Sequence, residues 1–171
     1  LIRSGREWYQ QVSSGTQNGI GPGFTDLITS ERIIYTVRVA GRSDTETSFA
    51  LRQGADPVRT LTVPPVTMTD LNGVYAEIVT LTDSIFPSSA SPAFTLTFSS
   101  GGNMAATGYI DYADFRARAS LVWRDKLLLI RDSRSVGPAA VTRFTVQGSA
   151  SLKIWDITNS SVPVEIQASA A

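Results

Sequence analysis

Arg32-Ile33-Ile34-Tyr35-Thr36-Val37-Arg38-Val39-Ala40 decides the fold class. Ile33, Tyr35, Val37 and Val39 share one parity, while Arg32, Thr36 and Arg38 share the other. That is the signature of an antiparallel strand with one face in a core and the other toward water. Gly41 and the polar run to Thr47 end it. Working outward, further strands are expected at residues 48–53, 59–63 and 74–81, separated by Gly54-Ala55-Asp56-Pro57 and by Pro64-Pro65 through Asn72-Gly73. Asn72-Gly73 is a turn signal because both residues tolerate positive φ. Phe94, Leu96 and Phe98 alternate with Thr95 and Thr97, and Ser99-Ser100-Gly101-Gly102-Asn103 then turns the chain. A hairpin partner is expected at 108–120, where Tyr109, Asp111, Ala113 and Phe115 share one parity and Arg116 and Arg118 the other. Strands are also expected at 126–131, 142–147, 152–157 and 164–168, with an early one holding Trp8. No apolar i, i+3, i+4, i+7 stripe persists for three turns, so the class is all-β: an antiparallel two-sheet β-sandwich, jelly-roll-like, of about ten strands. Spacing alone leaves jelly-roll and immunoglobulin-like strand orders both open.

The chain has 171 residues, which predicts a single β-sandwich domain over 1–171. Leu1 is not an initiator methionine, and the first residues lack the order of a secretory leader, so the reading expects a fragment excised from a larger protein. Fifteen Lys and Arg cancel fifteen Asp and Glu. No net field draws the chain to a polyanion, and no nucleic-acid partner is predicted. No apolar run approaches the ~18 residues of a membrane span, so direct membrane insertion is not expected.

Histidine and cysteine are both absent. This removes the usual general base, the thiolate nucleophile and the commonest metal ligands together, so no Ser–His–Asp or Cys–His hydrolase can be assembled. Carboxylates remain, among them Asp70, Asp83, Asp111, Asp114 and Asp156, but a glycosidase needs two of them held across a sugar. Asp111 falls on the apolar parity. It therefore requires a paired arginine such as Arg116 or Arg131, or backbone amides, because an isolated buried carboxylate costs several kcal/mol, on the order of its desolvation. Calcium is the one cofactor the pattern admits, at Asp70-Leu71-Asn72-Gly73, although the remaining ligands of an EF-hand loop are missing and a turn with an Asx hydrogen bond is the simpler reading. Trp8, Tyr9, Trp123, Trp155 and several other tyrosines would serve a carbohydrate-binding sandwich if they lined an exposed face; otherwise they belong to the core.

Three clusters stand in order along the chain: Ser4-Gly5-Arg6-Glu7-Trp8-Tyr9, Gly108-Tyr109-Ile110-Asp111-Tyr112, and Ile154-Trp155-Asp156-Ile157-Thr158 followed by Pro163-Val164. Together they resemble the region preceding the peptidase domain in the PorU family, the gingipain-like signal peptidases, or sortases, of the type IX secretion system of Bacteroidetes. The family runs look like SGREWF, G-W-L-D-Y and V-W-D-V-T-D-P. Here Tyr9 stands for Phe, Tyr109 for Trp, and Asn159-Ser160-Ser161 for the acidic residue and proline. The resemblance implies a β-sandwich placed before a cysteine-peptidase domain, in a protein exported and held at the outer membrane and cell surface. Its parent would remove the C-terminal signal of type IX cargo and join the cargo to anionic lipopolysaccharide. No family catalytic residue carries over. What is implied is a non-catalytic module whose partners are the adjacent peptidase domain of the same chain and type IX cargo or partner secretion subunits. Trp8, Tyr109, Asp111, Tyr112, Trp155 and Asp156 are its structural or interface candidates: Asp111 and Asp156 as acids that tie strand ends, Trp8 and Trp155 as core or domain-interface anchors.

Overall fold

The computed structural model describes residues 8–70, 72–124, 127–130, 137, 142–148 and 152–167. It divides into two compact units, 1–119 and 120–171. Eight strands lie in the first: β1 (Gln10–Val12), β2 (Gln17–Ile20), β3 (Ile33–Arg42), β4 (Thr47–Gln53), β5 (Asp56–Val63), β6 (Glu77–Ile85), β7 (Phe94–Ser99) and β8 (Thr107–Arg116). One sheet has the order β1-β8-β3-β6 and the other β2-β7-β4-β5, every pairing antiparallel. Strand one therefore pairs with eight, two with seven, three with six and four with five. This nested pairing is a long hairpin rolled up on itself, and it settles the strand order as a jelly roll. No described residue is helical, so no helix is long and apolar enough to cross a membrane.

The alternation in β3 does what its parity dictates. Ile33, Tyr35, Val37 and Val39 are fully buried between the sheets, against Phe49 and Leu51 of β4, Leu61 and Val63 of β5, and Phe94, Leu96 and Phe98 of β7. Backbone approach is tight at Gly108 of β8, where a Cβ would sit 2.5 Å from Cγ of the Phe98 ring, so only glycine lets that ring reach the sheet. Gly54 supplies the positive φ (58°) of the two-residue β4–β5 turn, and Pro57 follows on an edge strand, where its missing N–H costs no ladder bond. Across the sheet margins, Arg59 Nε of β5 donates to Asp83 Oδ2 of β6 at 2.7 Å. Burial raises the Tyr35 phenol above its ordinary pKa; the Asp83 charge adds to this and Arg59 opposes it.

Three local expectations are corrected. Strand β7 does not form a hairpin with β8, because residues 100–106 carry the chain across to the other sheet; β7 pairs with β2 and β4, and β8 with β1 and β3. The early strand starts after Trp8, at Gln10. Residues 127–130 and 142–146 form no ladder, and Gln147 makes only an isolated bridge to Val122.

In the second unit, β9 (Ile154–Asp156) and β10 (Val164–Ile166) form an antiparallel hairpin, with Ile154 opposite Ile166 and Trp155 opposite Glu165.

Candidate functional site

The outer face of the first sheet carries the other parity of β3: Thr36, Arg38, Ala40 and Arg42. Opposite Arg38, strand β8 has one residue too many. Its register steps from Tyr112 at Arg38 to Ile110 at Val39, which makes Asp111 the extra residue of a β-bulge. Sequence alternation puts Asp111 on the same side as Ala113 and Phe115. The bulge breaks that parity: Ala113 and Phe115 pack inward, while Asp111 turns outward with Tyr109. There its carboxylate, only 7% exposed, accepts from Arg38 Nη1 at 2.7 Å. The arginine is thus Arg38 rather than Arg116, which pairs with Asp114 at 3.2 Å, or Arg131, which lies outside the described residues.

Two residues along β3, Ala40 is buried although it faces outward, because larger side chains close over it. Its ladder neighbours are Ile78 on β6 and Tyr109 on β8, and Tyr109 in turn lies opposite Gln11 of β1. Tyr9 shares the parity of Gln11, and its ring meets that of Tyr109 edge to face, with centroids 6.3 Å apart. Tyr75 and Ala76, just before β6, complete a groove of about 250 Å³ lined by Tyr9, Ala40, Tyr75, Ala76, Ile78 and Tyr109. Burial raises the Tyr109 phenol above its ordinary pKa, and the neighbouring Tyr75 phenol raises it further; the Thr107 hydroxyl and the Arg42 charge pull it back. The Arg42 guanidinium lies over the Tyr75 ring, 4.2 Å from its centre. It is held there by donating to the carbonyls of Tyr75 (2.9 Å) and Met68 (3.3 Å). No carboxylate of the described residues pairs with it.

The remaining sequence candidates do not join this cluster. Tyr112 is exposed beside the bulge. Trp8 is 80% exposed and Trp155 49%, so neither is enclosed as a core anchor; Trp8 is bare over most of its surface and Trp155 over about half of it. The Asp156 carboxylate closes the turn after β9 by accepting from Thr158 N at 2.8 Å, and the Thr158 hydroxyl and amide hold its pKa below the ordinary value. Asp70 Oδ1 accepts from Asn72 N at 3.0 Å, which is an Asx turn. Among the described residues no three carboxylates gather as metal ligands. A second hollow, about 300 Å³, is lined by Asp44, Pro65, Val66, Thr67, Met68 and Thr69 and brings no pair of titratable groups together. Residues 1–7, with most of the first family-like cluster, lie outside the described residues.

Sequence reasoning passed over Tyr75, Ala40, Ile78 and Arg42. The readable signal was Ala40, a small residue between two arginines on the water-facing parity of the strongest strand, which leaves room for neighbouring rings.

No protein-family model and no curated protein matches the sequence. Among solved structures, the chain is similar to dimeric latent PorU from Porphyromonas gingivalis, at TM-score 0.52 and 9% identity over 70% of this chain. It is also similar to the insecticidal delta-endotoxin Cry8Ea1 from Bacillus thuringiensis, at TM-score 0.37 and 13% identity over 66% of this chain and 18% of that one, a likeness that carries no argument. The matched part spans 12% of the PorU chain. What the comparison establishes is a shared fold: the chain is an all-β jelly roll similar to a β-domain within PorU.

Proposed function

We propose that this chain is a non-catalytic β-sandwich module of a PorU-like C-terminal signal peptidase of type IX secretion, exported with its parent to the outer membrane. It supports the peptidase domain or contacts cargo and partner subunits. One observation carries the reading: a chain with neither histidine nor cysteine folds like a β-domain of PorU. Two of the three family-like clusters support it by their positions, one on the bulged strand β8 and the other on β9. The direct test is the coding sequence downstream of Ala171. A gingipain-like region with its own His and Cys is the expected result, and an unrelated module there overturns the reading. Independently, specific hydrolysis of a type IX signal peptide by this chain would falsify its non-catalytic role.

A carbohydrate-binding sandwich is the second reading, motivated by the tryptophan and tyrosine content of the chain and by the exposure of Trp8 and Tyr112. Calorimetric titration against a glycan panel tests it, and silence across the panel removes it.

A further inference from the structure

The tyrosine groove has a chemistry that selects among ring-shaped ligands. Its lining combines the aliphatic residues Ala40, Ala76 and Ile78 with the aromatic residues Tyr9, Tyr75 and Tyr109. A sugar ring bears hydroxyls around most of its edge, and each one buried without a partner costs about 1–3 kcal/mol. Among the described lining residues the only side-chain polar atoms are the three phenol oxygens, and those of Tyr75 and Tyr109 already interact with one another. A pyrrolidine ring makes no such demand. It stacks on phenol faces, and a proline-rich segment is extended before it binds, so little ordering entropy opposes docking.

Charge adds a second constraint. Two arginines flank Ala40 on this face. Arg38 is neutralised by Asp111, whereas Arg42 is fixed over Tyr75 by two backbone carbonyls with no carboxylate of the described residues paired to it. The rim of an apolar slot thus holds a positioned positive charge whose complement is an acid on the ligand.

The geometry points to an acidic, proline-containing extended peptide as the occupant of this groove, with a pyrrolidine ring between Tyr9, Tyr75 and Tyr109 and a carboxylate at Arg42. This deepens the partner-contact reading above and rests on it for the expectation that the ligand is polypeptide.

The test uses the full chain with its tyrosine rings isotopically labelled. It is titrated with a blocked tetrapeptide of three prolines and one glutamate, with the glutamine version of that peptide, and with a neutral glucose tetramer. The expected result is shifts centred on Tyr9, Tyr75 and Tyr109 with the glutamate peptide. Binding should weaken about 5-fold with the glutamine peptide and by a similar factor in Arg42→Gln, the scale of one partly exposed ion pair. Tyr75→Ala, at an exposed site outside the ladders, should abolish the shifts without altering the fold. Silence with the glutamate peptide, equal affinity for the glutamine version, or binding of the glucose tetramer in its place each overturns the inference. None of these outcomes bears on whether the chain hydrolyses a signal peptide, so this inference and the non-catalytic reading fail separately.

Discussion

Strand β3 and the β9–β10 hairpin are written in similar letters and end in different environments. In β3, Tyr35, Val37 and Val39 lie between two sheets and are almost wholly inaccessible. In the hairpin, Trp155, Val164 and Ile166 remain about half exposed, although Ile154 and Ile166 are ladder partners. The difference teaches that apolar spacing specifies a strand and a second sheet specifies a core. Two strands alone have no facing sheet of their own, whereas eight strands folded into two facing sheets enclose a continuous apolar layer. Stability of the sandwich should therefore depend steeply on its inner row.

The largest effect is expected from that inner row. Phe98 packs against Phe49 with ring centroids 5.0 Å apart and rests on the bare backbone of Gly108. Phe98→Ala removes a ring from between both sheets and should cost about 3–5 kcal/mol in urea unfolding. A loss under about 1 kcal/mol would mean that the inner row does not carry the fold, and the contrast with the hairpin would collapse.

Next in size is the outer face of the same strand. Arg38 and Asp111 are 22% and 7% exposed in their side chains, so their contact is largely desolvated. Asp111→Ala should cost about 1.5–3 kcal/mol, the range for a hydrogen bond to a charged group. A double-mutant cycle with Arg38→Met separates the pair from its surroundings, and a coupling near zero would show that the bulge holds Asp111 in place without help from the arginine.

That bulge also marks where the sequence stops being readable. The inner row of β3, the rows of β4 and β7 and the all-β class follow from period-two alternation, because packing between two sheets enforces that period. Strand β2, Gln17–Ile20, has no such signal: it is a polar edge strand held to β7 by its backbone ladder. The bulge at Asp111 shifts parity by one residue, and nothing in Tyr109-Ile110-Asp111-Tyr112 announces it, since the extra residue is defined by its partner strand. For the same reason the groove was half legible. Tyr109 stood out by its motif, but Ala40, Tyr75 and Tyr9 come together only through the pairings of β1, β8, β3 and β6. Segments 127–130 and 142–146 have strand-like composition and form no ladder, so composition without a pairing partner does not make a strand.

A smaller effect, in pH rather than in size, sharpens the comparison. Asp83 in the sandwich and Asp156 in the hairpin both have pKa values below the ordinary carboxylate range. For Asp83 the main cause is the Ser84 N–H at 2.7 Å, followed by Arg59; for Asp156 it is Thr158. A carboxyl whose folded pKa is lowered stabilises the fold above its unfolded pKa of about 3.9, and that contribution is lost as pH falls through the folded value. Asp83→Asn should therefore flatten the fall in sandwich stability between about pH 4 and pH 2, while Asp156→Asn leaves that slope unchanged. Equal flattening by both variants would show that the two units unfold as one.

The smallest expected effect tests the exposed side of the comparison. Trp155 is the largest side chain of the hairpin, and substitutions of such residues in cores cost several kcal/mol. Half its surface is in water, and Glu165 rather than an aromatic side chain stands opposite it in the ladder. Trp155→Ser should shift the unfolding of the sandwich, read by urea denaturation, by no more than about 0.5 kcal/mol, the range of ordinary surface changes. A loss of about 2 kcal/mol or more would mean that Trp155 is covered in the folded molecule, and that the hairpin belongs with β3 among the packed elements.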